Sequence, residues 1–285
     1  MEVLKITSQF GHEIMAENFA AVSDLAIAVV PNKDIQEEYD AEVQKIFDNM
    51  RFFSATVFKV PFEERHKYQH SLDVVRLLKD EKLPDDCWGE FAKGRLHPQD
   101  DPDTLTQYPG LEDEDNILVI PQKLLSDGEC GVSAAQQSLP LEVFDFLIAR
   151  PEKLVLGQHF HKINDRPIVE DLVKRFDGRL YVPGLTENEH VFGIRGVQHR
   201  EYYNMYRQLK LSVGIAGTHT WYLLTMFPEI PQVILYNKSG VEHWQAIADA
   251  FRKQGKQIYA IGFDENTDMS QLSKEVEAKV AELLG

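Results

Sequence analysis

Short apolar runs alternate with amphipathic segments over the first sixty residues. The pattern predicts strands at residues 3–7, 25–30 and 55–60, and helices at residues 12–23 and 34–50. The run at 25–30 is apolar throughout and stops at Pro31, which is typical of a strand buried on both faces of a parallel sheet. The resulting βαβαβ order predicts a parallel α/β arrangement.

The alternation is more regular in the second half of the chain. The predicted strands lie at residues 153–157, 179–182, 211–215, 232–236 and 257–262, and the predicted helices at 167–176, 200–209, 218–227, 241–254 and 270–284. Repeated strand and helix in this order predict a Rossmann-like region built on a parallel sheet.

The pattern weakens between these two regions. It predicts a helix at 71–79, an irregular Pro- and Asp-rich insertion at about 80–116, a strand at 117–121 and a helix at 139–149. We therefore predict an α/β protein of two Rossmann-like domains, residues 1–150 and 151–285, each with a parallel sheet flanked by helices.

Composition places the chain among ordinary globular proteins. Its 285 residues are 43% hydrophobic and 27% charged, and the net charge is −16. That charge disfavours nucleic acid or anionic membranes over the surface as a whole, although a local basic site stays open. Cys87 and Cys130 are too few for a disulfide framework or a zinc site. Without a signal peptide or a long apolar run, a cytoplasmic location without a transmembrane segment is expected.

A glycine-bearing turn follows the strand predicted at 211–215. It contains Gly217, Thr218 and His219 and leads into a helix. Small residues let a phosphate approach the backbone, and the N–H groups and dipole of a helix start favour its negative charge. Tight packing also demands glycine, so a purely structural turn is the alternative.

A second candidate lies at the corresponding place after the first strand. His12 and Glu13 begin the predicted helix there. An imidazole titrates near neutral pH, so His12 is suited to accept a proton from an acceptor hydroxyl, with Glu13 as the second candidate base. A helix cap or an ordinary surface residue is the alternative for both.

Three more polar residues lie close to the ends of predicted elements. Lys162 and Arg195 carry positive charge that suits a diphosphate, and Asn237 follows the strand at 232–236. His159 and His161 lie two residues apart but lack an HExxH or CxxC partner motif, so no metal site is predicted.

Residues 206–219 and the strand at 231–236 resemble the donor-domain core of GT-B glycosyltransferases, and are most similar to the heptosyltransferase-like group. A helix, a strand ending in a Gly-Thr/Ser turn, a helix and a P-x-V-x-L-Y strand recur in that group. Residues 8–12 also resemble the Gly-His turn after the first strand of several GT-B enzymes.

The resemblance implies a glycosyltransferase that moves a sugar from a nucleotide-sugar donor to a hydroxyl acceptor. It assigns the acceptor to residues 1–150 and the donor to residues 151–285, with no metal and no cofactor beyond the donor substrate. The donor diphosphate would lie at Gly217, Thr218 and His219.

Other functions stay open at this point. A sugar-nucleotide epimerase or hydrolase, or a non-catalytic nucleotide- or sugar-binding protein, would use a similar fold. A nucleic-acid acceptor would require a local basic groove that the sequence does not display.

Overall fold

The computed structural model describes residues 3–7, 12–50, 56–73, 87–98, 115–120, 139–156, 173–177, 179–181, 203, 205–238 and 243–285, apart from the side chains of His12, Asn49 and Thr218. The chain divides into two compact units. Unit 1 comprises Met1–Thr106, Gln198–Asn204 and Thr220–Pro228, and unit 2 comprises Gln107–Val197, Met205–His219 and Glu229–Gly285.

Unit 1 is built on a parallel sheet in the order β3-β2-β1-β4. Its strands are β1 (Val3–Ile6), β2 (Ala26–Val29), β3 (Val57–Lys59) and β4 (Leu72–Asp73). The helix His12–Ser23 connects β1 to β2, and the helix Gln36–Met50 connects β2 to β3. The predicted βαβαβ order at the start of the chain is therefore confirmed.

The first of these helices lies in the interior of unit 1. Residues 13–20 are all buried, as expected of a helix that packs on more than one side. The helix Cys87–Lys93 covers it, with the rings of Phe19 and Phe91 5.0 Å apart. Asn18 Nδ2 donates a hydrogen bond of 2.9 Å to the Phe91 carbonyl, so the buried amide also fastens the two helices together.

Unit 2 is built on a larger parallel sheet in the order β10-β9-β8-β5-β6-β7. Its strands are β5 (Asn116–Ile120), β6 (Lys153–Leu156), β7 (Leu180–Tyr181), β8 (Leu209–Ile215), β9 (Gln232–Asn237) and β10 (Ile258–Phe263). Strands β5 and β8 at its centre are almost wholly buried, which explains their continuous apolar sequence.

Helices cover this sheet and close its core. The α-helix Thr218–Met226 follows β8 but lies mostly in unit 1. Among the described residues, the helices on this sheet are the 3-10 helix Leu141–Ala149 and the α-helices His243–Lys253 and Met269–Leu284. The last begins at Asp268, whose side chain accepts hydrogen bonds from the Ser270 and Gln271 backbone N–H groups. It packs on the 3-10 helix, where Ser273 Oγ donates to the Val143 carbonyl at 3.1 Å. None of the helices that the structure describes is long and apolar enough to cross a membrane.

The predicted α/β class, with parallel sheets flanked by helices, is confirmed, but three local expectations differ from the structure. The predicted boundary at residue 150 falls inside unit 2, because β5 pairs with both β6 and β8. The start of the helix predicted at 71–79 is strand β4 instead. Part of the predicted irregular insertion at 80–116 is the helix Cys87–Lys93. The helices predicted at 167–176 and 200–209 lie mostly outside the described residues.

Candidate functional site

The topology of the second sheet marks one position for a ligand. From β5 the chain moves outward through β6 to β7 and then returns to place β8 on the other side of β5. The order β7-β6-β5-β8-β9-β10 is that of dinucleotide-binding Rossmann sheets. Such sheets bind ligands beyond the carboxyl ends of the strands where the order reverses, so the residues that follow β8 occupy that place.

Strand β8 ends in the glycine-bearing turn that the sequence singled out. The Ala216 N–H donates to the Leu235 carbonyl of β9 at 2.8 Å, and the helix begins at Thr218. A Cβ atom built on Gly217 would meet no heavy atom of the described residues within 4 Å. The backbone therefore has room beside it for a ligand group. The first-turn N–H groups of the helix Thr218–Met226 lack intrahelical acceptors and form the positive end of its dipole.

His219 lies in the same turn but faces the interior. It is only 4% exposed, and its Nδ1 shares a hydrogen bond with the hydroxyl of Tyr206, which is fully buried. The two rings pack edge to face with centroids 5.8 Å apart. This geometry suits a residue that holds the start of the helix in place, and direct contact between His219 and a phosphate stays a prediction.

Asn237 lies at the same edge of the sheet, at the end of β9. Strands β8 and β9 are paired through Ile215 and Leu235, so their carboxyl ends are neighbours.

The residue after Asn237, Lys238, forms an ion pair at this edge. Its Nζ lies 3.4 Å from Oδ2 of Asp264, which follows β10. The backbone N–H of Asn266 holds the pKa of Asp264 below its ordinary value, followed by the Thr267 hydroxyl and the Lys238 charge.

The sequence interpretation left Lys238 and Asp264 out of the site. An ionised carboxylate repels phosphate, but the Lys238 ammonium offsets the charge of Asp264. A lysine and an aspartate that each follow a parallel strand are the sequence signal that points to this pair. Lys162 and Arg195, which were predicted to face the diphosphate, lie outside the described residues.

In unit 1 the two predicted base candidates begin the helix that follows β1. His12 is its first residue, and the Glu13 side chain is 2% exposed. One turn further on, the Glu17 side chain is also buried, at 1% exposure. Burial raises the pKa of Glu17 well above its ordinary value, and the nearby Glu13 charge adds to the rise. Two carboxyl groups therefore share this buried helix face, which favours the protonated form of Glu17.

The described part of the chain contains no group of three or more His, Cys, Asp or Glu side chains that could hold a metal ion. It does contain a pocket at the carboxyl ends of β1 and β2, lined in part by Lys5 and Arg65. Neither residue was predicted from the sequence. The signal for Lys5 is a lysine inside the otherwise apolar strand Val3–Ile6.

Comparisons with known proteins agree with this architecture. No protein-family model matches the chain, and no curated protein matches it in sequence. Among solved structures it is similar to the glycosyl transferase family 9 protein from Veillonella parvula, with 13% sequence identity and a TM-score of 0.51. The match covers 99% of this chain and 95% of that one. At this identity the likeness shows the fold, which is the GT-B-like glycosyltransferase fold expected from the resemblance.

Proposed function

We propose that this protein is a glycosyltransferase that transfers a sugar from a nucleotide-sugar donor to a hydroxyl acceptor. The observation that carries the proposal is the turn after β8. It combines the reversal point of a Rossmann strand order, open space beside Gly217 and the start of a helix. The likeness of the fold to a glycosyl transferase family 9 structure supports it.

In the proposed reaction the donor diphosphate lies against the backbone of Gly217 and Thr218. The acceptor oxygen forms a bond to the anomeric carbon, and the bond from that carbon to the diphosphate breaks. The nucleoside diphosphate leaves, and its developing charge is stabilised by helix N–H groups without a metal ion. The hydroxyl proton passes to His12, with Glu13 as the second candidate base.

An exposed ion pair at the donor edge fits this scheme as well. Lys238 and Asp264 follow β9 and β10, next to the strand that carries the turn. We infer that Lys238 contributes positive charge toward the donor and that Asn237 donates to its ribose or sugar. The heptosyltransferase-like subfamily is part of the proposal.

The test is a panel of nucleotide sugars, read by thermal shift for binding and by released nucleoside diphosphate for turnover. Gly217→Val places a β-branched side chain where the diphosphate would approach. Since nothing lies within 4 Å of its Cβ position, the variant should fold and lose the thermal shift with the donor. Ala278→Val is the matched control, because it places the same β-branched side chain at an exposed position of the helix Met269–Leu284.

The outcomes separate the proposed function from its alternatives. Donor binding that survives in Gly217→Val would remove the proposed donor site. Hydrolysis or epimerisation without an acceptor would indicate an epimerase or hydrolase, and binding without any turnover would indicate a non-catalytic binding protein. Activity should persist in excess EDTA, and its complete, metal-reversible loss would contradict the metal-independent mechanism.

A further inference from the structure

The first sheet has a reversal point of its own. The chain moves outward from β1 through β2 to β3 and then returns to place β4 on the other side of β1. A pocket of about 340 Å³ opens at the carboxyl ends of β1 and β2. That volume lies at the lower end of the range for small-molecule sites, so it suits a ligand of roughly monosaccharide size.

The lining of this pocket is unusually basic for so acidic a chain. Lys5, Lys33, Arg65 and His66 line it, and Asp34 is the carboxylate among its lining residues. The chain as a whole carries a net charge of −16. A concave surface lined by one sign of charge focuses the field and attracts ligands of the opposite sign.

A buried ion pair lies at the base of the pocket. Lys5 is 8% exposed, and its Nζ is 3.5 Å from Oδ2 of Asp73, its register partner on β4. Removing two charges from water costs free energy that their attraction seldom recovers, so an apolar pair would stabilise the sheet at least as well. The pair joins β1 to the edge strand β4, and Lys5 also lines the pocket, so binding explains the pair better than stability does.

Arg65 is held in place at the pocket by its contacts with Phe62. Its Nη1 donates to the Phe62 carbonyl at 2.7 Å, and its guanidinium lies 3.6 Å from the Phe62 ring centroid. Within the described residues this is the one hydrogen bond of a side chain that has five N–H donors. A guanidinium group that is held in place and has further N–H donors matches the paired oxygens of a phosphate or carboxylate.

We propose that this pocket binds a small anionic sugar through its phosphate or carboxylate group, with Arg65 and Lys5 as the principal contacts. Lys33 adds charge at the rim, where its exposed pairing with Glu38 at 3.8 Å is weak enough to yield to a ligand. Calling this ligand the acceptor rests on the proposed function, whereas the binding of the anion does not.

The experiment titrates the full chain by calorimetry with glucose 6-phosphate, glucuronate and neutral glucose. The two anions distinguish a phosphate from a carboxylate ligand. Arg65→Gln should lower the affinity for the tighter-binding anion by roughly ten- to a hundredfold, since a charge-assisted hydrogen bond is lost. Lys67→Gln is the matched control. Lys67 lies with Arg65 on the 3-10 helix Phe62–Tyr68, is exposed and pairs with Glu64 at 2.9 Å, so its loss should leave the affinity within about twofold.

A second variant tests the floor of the pocket without leaving a lone buried charge. Lys5→Gln combined with Asp73→Asn removes both charges at once, so the protein should fold while its affinity for the anion falls. Binding of neither anion at millimolar concentration would overturn the inference. So would equal binding of glucose, or an Arg65→Gln variant that binds like the wild type.

The binding experiments on the pocket can fail or succeed independently of the experiments on the proposed function. Anion binding in a protein that releases no nucleotide from any donor would support the pocket and contradict the transferase. Donor turnover with a neutral acceptor, in a protein that binds neither anion, would support the transferase and contradict the pocket.

Discussion

Gly214 is the position where a single methyl group should do the most damage to unit 2. It lies near the carboxyl end of β8, opposite Ile120 of β5, with a backbone φ of 150°. A Cβ atom there would come within 2.4 Å of the Ile120 carbonyl oxygen and 2.6 Å of the Ile120 backbone nitrogen. Because those neighbours are backbone atoms of a paired strand, they cannot move aside without breaking the central ladder of the sheet.

The cost of Gly214→Ala has two parts. A non-glycine residue held at such a φ costs about 1–3 kcal/mol, and overpacking a well-packed interior costs about 1–3 kcal/mol more. The sum of about 2–6 kcal/mol is a large fraction of the roughly 5–15 kcal/mol that stabilises a typical protein. We therefore expect the melting temperature to fall on the order of 10 °C.

Thermal and urea denaturation followed by circular dichroism would measure this loss. Gly217→Ala is the matched control three residues further along, because its Cβ would meet nothing within 4 Å. Its free energy of unfolding should stay within about 0.5 kcal/mol of the wild type. A Gly214→Ala protein as stable as the Gly217→Ala protein would refute both the close approach of β5 to β8 and the account of the site built on it.

Three further predictions test the candidate residues. His12→Ala should lower turnover by about two to four orders of magnitude with donor binding retained, and unchanged kcat would remove His12 from the mechanism. Tyr206→Phe should lower the free energy of unfolding by about 1–3 kcal/mol in urea titrations, because His219 Nδ1 loses its buried partner; no change would contradict that contact. Glu17→Gln should be more stable than the wild type by an amount that grows as pH rises above 4.5. Burial and the Glu13 charge raise the pKa of Glu17 in the folded protein, so the wild type loses stability as pH rises through that pKa, whereas the variant does not. Denaturation of both proteins at pH 5 and pH 8 measures this difference, and a constant difference would contradict the raised pKa.

The sequence was sufficient to locate most strands but not to assign each to its sheet. The apolar run at 117–121 was correctly predicted as a strand, and the structure places β5 at Asn116–Ile120. Its place between β6 and β8 could not be predicted, because apolar periodicity reports burial and leaves the pairing partner open. Pairing depends on contacts between residues distant along the chain, which a local apolar pattern does not report.

The sequence likewise predicts some site residues and not others. Position relative to a strand end can be predicted, whereas the direction of a side chain cannot. Residues that follow parallel strands meet at one edge of the sheet, so Gly217 and Asn237 could be grouped from the sequence alone. Whether a side chain on the next helix turn faces that edge or the core depends on the rotation of the helix, which packing decides. His219 consequently shares the turn of Gly217 yet lies buried against Tyr206.

Lys5 lies inside a strand and not at its end, so its position in the sequence did not predict a role in a site. An apolar strand predicts core residues, and polar residues at strand ends predict the chemistry of a parallel sheet. A lysine at the centre of β1 contradicts that assumption, since an ammonium group is buried only when a partner offsets its charge. The partner, Asp73, lies 68 positions away along the chain on a strand where a helix had been predicted, so no local pattern joins the two. A charged residue that interrupts an apolar strand is therefore a sequence signal of its own, and here it marks a residue that lines the pocket at the carboxyl ends of β1 and β2.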